Sequence, residues 1–166
     1  MWIERLAGIS LLCLGAAGAY AQVRADGMPA DDVWIPPVGT IQQDAAALRW
    51  SAAPASMPKG TQIAVLEGDP KSEGLFTLRI SVPAGARLSP HWHPRDERVT
   101  ILSGRVGVGF GNRFDEGRIR YFEAGSYYIN PTPAMHFVDF PVASVVQITG
   151  HGPWEVHPAP SPRAPE

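Results

Sequence analysis

Thiols are almost missing from this chain: Cys13 is the only cysteine among 166 residues. A lone cysteine cannot close an intrachain disulfide, so no disulfide framework holds the fold. Any metal must be held mainly through nitrogen and oxygen ligands. An excess of one charge is missing too. Fourteen Lys and Arg stand against sixteen Asp and Glu, for a formal net charge of -2. With no basic run to neutralise phosphates, the footprint of a nucleic-acid binder is excluded. Helical periodicity sustained over several turns is absent, and so is any internal repeat. No apolar run reaches the ~20 residues that cross a bilayer.

What is plentiful is glycine and proline, 17 of each. Proline at about twice its usual share favours many short strands and turns over long helices. With 45% hydrophobic and 18% charged residues, the chain fits one globular domain. Its opening, MWIERLAGISLLCLGAAGAYAQ, sets Arg5 before an apolar stretch from Leu6 to Ala19 and ends in Ala19-Tyr20-Ala21. That reads as a secretory signal peptide over residues 1–21 with an A-x-A cleavage site. A retained anchor helix would need a longer apolar run, and Leu12 before Cys13 argues against a lipoprotein. The expectation is an exported protein, periplasmic or secreted, with no membrane association after cleavage and no cysteine in the mature chain.

Residues 22–60 are rich in Ala and Pro and read as an extended arm, with a short helix around Asp44–Leu48 and a strand near Leu48–Ser51. From Thr61 the texture changes. Apolar or β-branched runs succeed one another (TQIAVLEG, GLFTLRISV, ERVTILSG, RVGVGF, GRIRYFEA, SYYIN, MHFVDF, ASVVQITG), separated by turn clusters such as GDPKSEG, PAGARLSP, GNRFDEG and NPTPA. Many short strands at close spacing predict an all-β antiparallel sandwich or barrel over residues 61–151. The longest excursion falls between Phe110 and Gly117. Residues 152–166 form a Pro-rich tail, expected to be mobile after Trp154–Val156.

The stretch HWHPRDE, residues 91–97, carries two of the chain's five histidines. On a strand His91 and His93 share a face and Trp92 takes the other. Pro94 breaks the ladder, PRD turns, and Glu97 opens the next strand with the parity of Val99 and Ile101. A carboxylate beside two imidazoles in an apolar interior is costly without a partner, and a cation resolves the cost. A third imidazole, His136, opens the run HFVDF. Three neutral imidazoles and one carboxylate suit a divalent ion of the first transition row and leave coordination positions for water or substrate.

In these residues the chain resembles the cupin superfamily. Gly85, five residues, His91, one residue, His93, three residues, Glu97, six residues, Gly104 fits the first cupin motif throughout. Gly125, Pro131 and His136 fit the second, while Pro133 stands where that motif has Gly and Phe140 where it has Asn. The resemblance covers about Gln62 to Thr149, with the short inter-motif spacing of compact single-domain bacterial cupins. It implies a double-stranded β-helix, or jelly-roll, barrel with an extended N-terminal arm and a Pro-rich C-terminal tail. It also implies a divalent transition metal (iron, manganese, zinc, nickel or copper) held by His91, His93, Glu97 and His136, and a homodimer through sheet edges.

Other residues sort by parity and context. Tyr128 and Gln147, on strands bordering the cavity, are candidates to hydrogen-bond a substrate or orient an imidazole. His151 and His157 read as solvent-exposed bystanders, Arg95 and Asp96 as a solvated turn pair, Arg98 as facing out, and Asp139 as facing away from His136. Phe76, Leu78, Ile80, Val99, Ile101, Val106, Val108, Phe110, Phe122, Val138 and Phe140 read as core and would give an apolar chamber suited to a small organic substrate. Two functional classes fit these residues. One is a metal-dependent enzyme, with Glu97 as a base; the cupin resemblance implies foremost a dioxygenase of the quercetin or β-diketone type, and equally admits an oxalate-type decarboxylase or isomerase. The other is a non-catalytic exported module that binds a metal or small molecule; zinc-binding anti-sigma cupins carry similar ligands, although an export signal argues against that version.

Overall fold

The computed structural model describes residues 36–160. The proposed signal peptide, the first part of the arm and the last six residues lie outside the described residues. Among the described residues, every strand belongs to the compact unit that begins at Ile41.

Eleven strands run from Ser51: β1 (Ser51–Ala52), β2 (Gln62–Glu67), β3 (Gly74–Val82), β4 (Ala86–Trp92), β5 (Glu97–Ser103), β6 (Arg105–Phe110), β7 (Arg120–Glu123), β8 (Tyr127–Asn130), β9 (His136–Phe140), β10 (Ser144–Gly152) and β11 (His157–Pro158). They form two antiparallel sheets, a six-stranded one in the order β1-β2-β3-β10-β5-β8 and a five-stranded one in the order β11-β4-β9-β6-β7. This is the double-stranded β-helix. Period-two patterning builds its core: Phe76, Leu78, Ile80 and Val82 alternate on β3 with half-buried or exposed neighbours, and Ile148 pairs with Leu78 on one side and Val99 on the other. Each such side chain taken from water contributes roughly 1.5–3 kcal/mol.

The chain passes from one sheet to the other between β5 and β6 at Gly104. Its φ is 80°, and a Cβ there would run into Ser144 Oγ and the Ala143 carbonyl. Only glycine fits that crossing.

Several elements differ from the sequence expectation. The segment read as the turn PAGARLSP turns only up to Gly85, and β4 begins at Ala86. Pro90 is tolerated because the β4–β9 register slips between Leu88 and His91. The expected helix near Asp44–Leu48 is a single 3-10 turn, Ala45–Ala47, and the strand after it lies at Ser51–Ala52. Gly117 and Arg118 belong to another 3-10 turn, Glu116–Arg118, capped by Asp115, whose carboxylate accepts from Gly117 N. The tail does not become free after Val156: β11 pairs with β4, and Ala159 N donates to Pro90 O at 2.9 Å. Both β1 and β11 are therefore sheet members lying beyond residues 61–151. Phe110, expected in the core, is 47% exposed because it closes β6 at the rim, and Phe122 is half-buried.

The excursion after Phe110 packs on the outer face of the five-stranded sheet, Phe114 lying 4.9 Å from Phe137 between ring centroids. Asp139 points to that face, accepting from Arg87 Nε at 3.0 Å and the Tyr121 hydroxyl at 2.9 Å. It is on the opposite side of β9 from His136.

Candidate metal centre

His91 lies near the end of β4 and His136 at the start of β9, and the two are register partners. Their ring centroids are 4.3 Å apart. His93 sits one residue beyond β4, its ring 5.1 Å from His91 and 5.3 Å from His136. One ring nitrogen from each falls within 4.8 Å of the others, and all three residues are buried. Glu97, the first residue of β5, enters from the other sheet. Its Oε2 is 3.7 Å from His93 Nε2 and 3.6 Å from His136 Nε2.

Each imidazole is aimed by the main chain. Nδ1 of His91 donates to Ser89 O at 2.7 Å, Nδ1 of His93 to Glu155 O at 2.7 Å, and Nδ1 of His136 to Ala134 O at 3.1 Å. A carbonyl only accepts, so the proton belongs on Nδ1 and the lone pair of Nε2 faces the cluster. Nε2 of His93 and of His136 is buried without a hydrogen-bond partner.

Electrostatics keeps these groups in ligand form. Burial, then the neighbouring His136, pushes the His91 imidazole down to about 4, and burial likewise lowers His93. Burial alone would raise Glu97; His136 and His93 beside it and the donated hydrogen bond from Asn130 bring it below the usual carboxylate value. Three inward lone pairs and a carboxylate are acceptors that cannot satisfy one another. A divalent cation is the group that fits them, as nitrogen and oxygen donors of this mix suit the first transition row. His91, His93, His136 and Glu97 are the residues that could hold it.

Some residues reach the site although motif spacing does not point to them. Asn130, buried opposite Glu97 in the β5–β8 register, donates from Nδ2 to Glu97 Oε2 at 2.8 Å. Its parity on SYYIN, shared with Tyr128, is the signal that could have found it. Trp154 stacks on His93 with centroids 5.0 Å apart and packs 5.7 Å from Phe76. Asp96 is more than a solvated turn residue: it accepts from Thr132 N at 3.0 Å and Arg98 Nη2 at 3.3 Å, while the Thr132 hydroxyl donates to His93 O at 3.0 Å. Together these tie the HWHPRDE turn to the loop preceding His136.

Other candidates lie elsewhere. Gln147 has the opposite parity to Val146 and Ile148, which line the interior, and its Oε1 accepts from Arg79 Nε at 3.2 Å, so it does not reach the site. His151 is exposed. His157 is half-buried instead of free, stacked on Trp92 at 4.4 Å and paired with Glu155 at 2.8 Å. Arg95 is exposed. Tyr128 does face the interior, stacked on Phe122 at 5.3 Å.

A cavity of about 400 Å³ opens onto His91, His93 and Glu97. Its walls are Ile80, Val82, Leu88, Val99, Val138, Phe140, Val146 and Ile148, with Met57 and Pro58 from the arm and Trp154 and Val156 from the C-terminal segment.

Comparison with known proteins agrees with this architecture. The model of the ChrR cupin-like domain matches residues 39–155. Germin-like protein 3-1 of Oryza sativa subsp. japonica is 34% identical over 68 residues, which is 40% of this chain and 30% of that protein. Thus the match spans under a third of the curated relative's length. Among solved structures, the polyketide cyclase RemF from Streptomyces resistomycificus superposes with a TM-score of 0.62 at 14% identity, covering 74% of this chain and 87% of its own. An acetylacetone dioxygenase from Acinetobacter johnsonii gives 0.56 at 19% identity, covering 76% and 83%. At such identities the structures speak for the fold alone. With two facing sheets, a buried histidine cluster at their shared end and a family match over most of its length, the chain belongs to the cupins, within the ChrR cupin-like domain family.

Proposed function

We propose that this domain is a metal-dependent enzyme, an oxygenase acting on a small organic substrate outside the cytoplasm. The observation that carries the reading is the apolar chamber of about 400 Å³ that opens directly onto His91, His93 and Glu97. A structural metal plug needs no such space; a reacting molecule does. The ion, when bound, would supply a Lewis acid and a redox partner for dioxygen and the oxygens of an enol, diol or carboxylate.

The chain's own groups do the rest. The three imidazoles, pinned at Nδ1, would hold the ion through Nε2. Glu97, kept ionised by its neighbours, either completes the ligand set or takes the proton of an incoming hydroxyl at its carboxylate. Aliphatic walls exclude bulk water and favour a substrate with an apolar body. The neighbouring acetylacetone dioxygenase shares the fold at 19% identity, which does not decide the reaction.

The second reading is a non-catalytic module that binds metal or a small molecule, favoured by the clustered ring nitrogens of His91, His93 and His136, which suit an ion whether or not a reaction follows. One experiment separates them: purify the protein with metals present, measure bound metal, and follow O2 uptake against flavonols, diketones and catechols, with CO2 release from oxalate alongside. Bound transition metal with O2 uptake on a panel member is expected. Tight metal with no turnover selects the binding module, and CO2 release selects decarboxylation. A His93→Ala variant that retains as much metal as wild type removes the metal centre from both.

A further inference from the structure

The chamber is lined by a phenol that neither the fold nor the metal-centre residues employ. Tyr128 lies on β8, register partner of Val99 and two residues from Asn130, so it shares the face on which Asn130 meets Glu97. Its ring stacks on Phe122 and packs against the core, and its side chain lines the cavity. Among the described residues its hydroxyl makes no hydrogen bond. Ser56 and Ser89 also line the wall, but both are exposed residues, and the remaining donors there are committed or closed off. Arg87 is held by Asp139 and Glu116. His91 and His93 donate to carbonyls. The indole N–H of Trp154 is closed off from any accessible space.

We infer that Tyr128 is a specificity-determining residue, whose hydroxyl donates a hydrogen bond to a second oxygen of a substrate seated in the chamber. Resting on the oxygenase reading, this narrows the substrate to a small, largely apolar molecule with two neighbouring oxygens, such as a catechol or an enolised diketone. One oxygen goes to the histidine cluster and the other to the phenol. Burial, then the nearby Glu97 carboxylate, raises the phenol well above its ordinary value, so it enters as a donor and not as a base. A lone apolar filler at this place would have been served by phenylalanine, which keeps the stack on Phe122 and carries no hydroxyl to leave unpaired.

The test uses the protein loaded with zinc, which does not react with O2, and nitrocatechol as the probe, whose absorption reports its binding and ionisation. Tyr128→Phe preserves ring and packing. Nitrocatechol is expected to bind wild type, to bind Tyr128→Phe roughly tenfold or more weakly, and to show a different absorption maximum in the variant, with zinc affinity by chelator competition the same in both. Equal nitrocatechol affinity in the two proteins overturns the inference, as does absence of binding to wild type. A parallel loss of zinc affinity in Tyr128→Phe overturns it too, by placing the hydroxyl in support of the metal. Because zinc binding is read without turnover, failure of the oxygenase reading would show separately, as no O2 uptake by iron-loaded protein.

Discussion

The protonation of His91 couples the site to stability. In the fold its imidazole titrates at about 4 instead of 6.5, chiefly because it is buried. Between those values the unfolded chain binds a proton that the native protein does not, so stability rises with pH there and falls as pH drops. For metal-free protein the loss between about pH 6.5 and pH 4 should be on the order of 3 kcal/mol from this group. Urea unfolding across that window measures it; a midpoint that stays constant, or moves the other way, contradicts the assignment. His91, His93, Glu97 and His136 were readable because their placement depends on local spacing and strand parity. Asn130 and Trp154 were not. The role of Asn130 comes from the β5–β8 register, and that of Trp154 from the chain's return over the barrel after Gly152, neither of which spacing reveals.

Among the elements, the C-terminal segment does two jobs that its composition conceals. Five prolines in its last sixteen residues suggested a loose tail. Instead Trp154 N donates to Pro70 O, Trp154 covers Phe76 and His93, Glu155 O accepts from His93, and β11 extends the sheet beside His91. Truncation after Gly152 should therefore weaken metal binding by roughly 10–100-fold, the usual cost of losing a partner that orients a ligand. Chelator competition on the truncated protein, alongside circular dichroism to verify the barrel, reads this; an unchanged affinity with the barrel intact would show that His93 needs no such support. Strands β3, β5 and β6 were legible from alternation alone. The first half of β4 was hidden by Pro83, Gly85 and Pro90, of which only the first two belong to the turn.

For the whole molecule, the candidate ligands come from both sheets: His91 and His136 from the five-stranded one, Glu97 from the six-stranded one. An ion held by all of them joins the two layers, and it binds the native state alone. At free metal a thousandfold above the dissociation constant, linkage adds about 4 kcal/mol. Calorimetry should accordingly find Tm lower by on the order of 10 °C after chelation; equal Tm with and without chelator would mean that no ion links the sheets. The sandwich and its topology class were visible in the sequence, while the docking of β1 and β11 was not, since two-residue strands carry no periodicity. The histidine anchors at Ser89, Ala134 and Glu155 are main-chain carbonyls. Every residue type has one, so those three positions are free to mutate without disturbing the ligands they aim, and the centre can persist through sequence drift that erases the side chains around it.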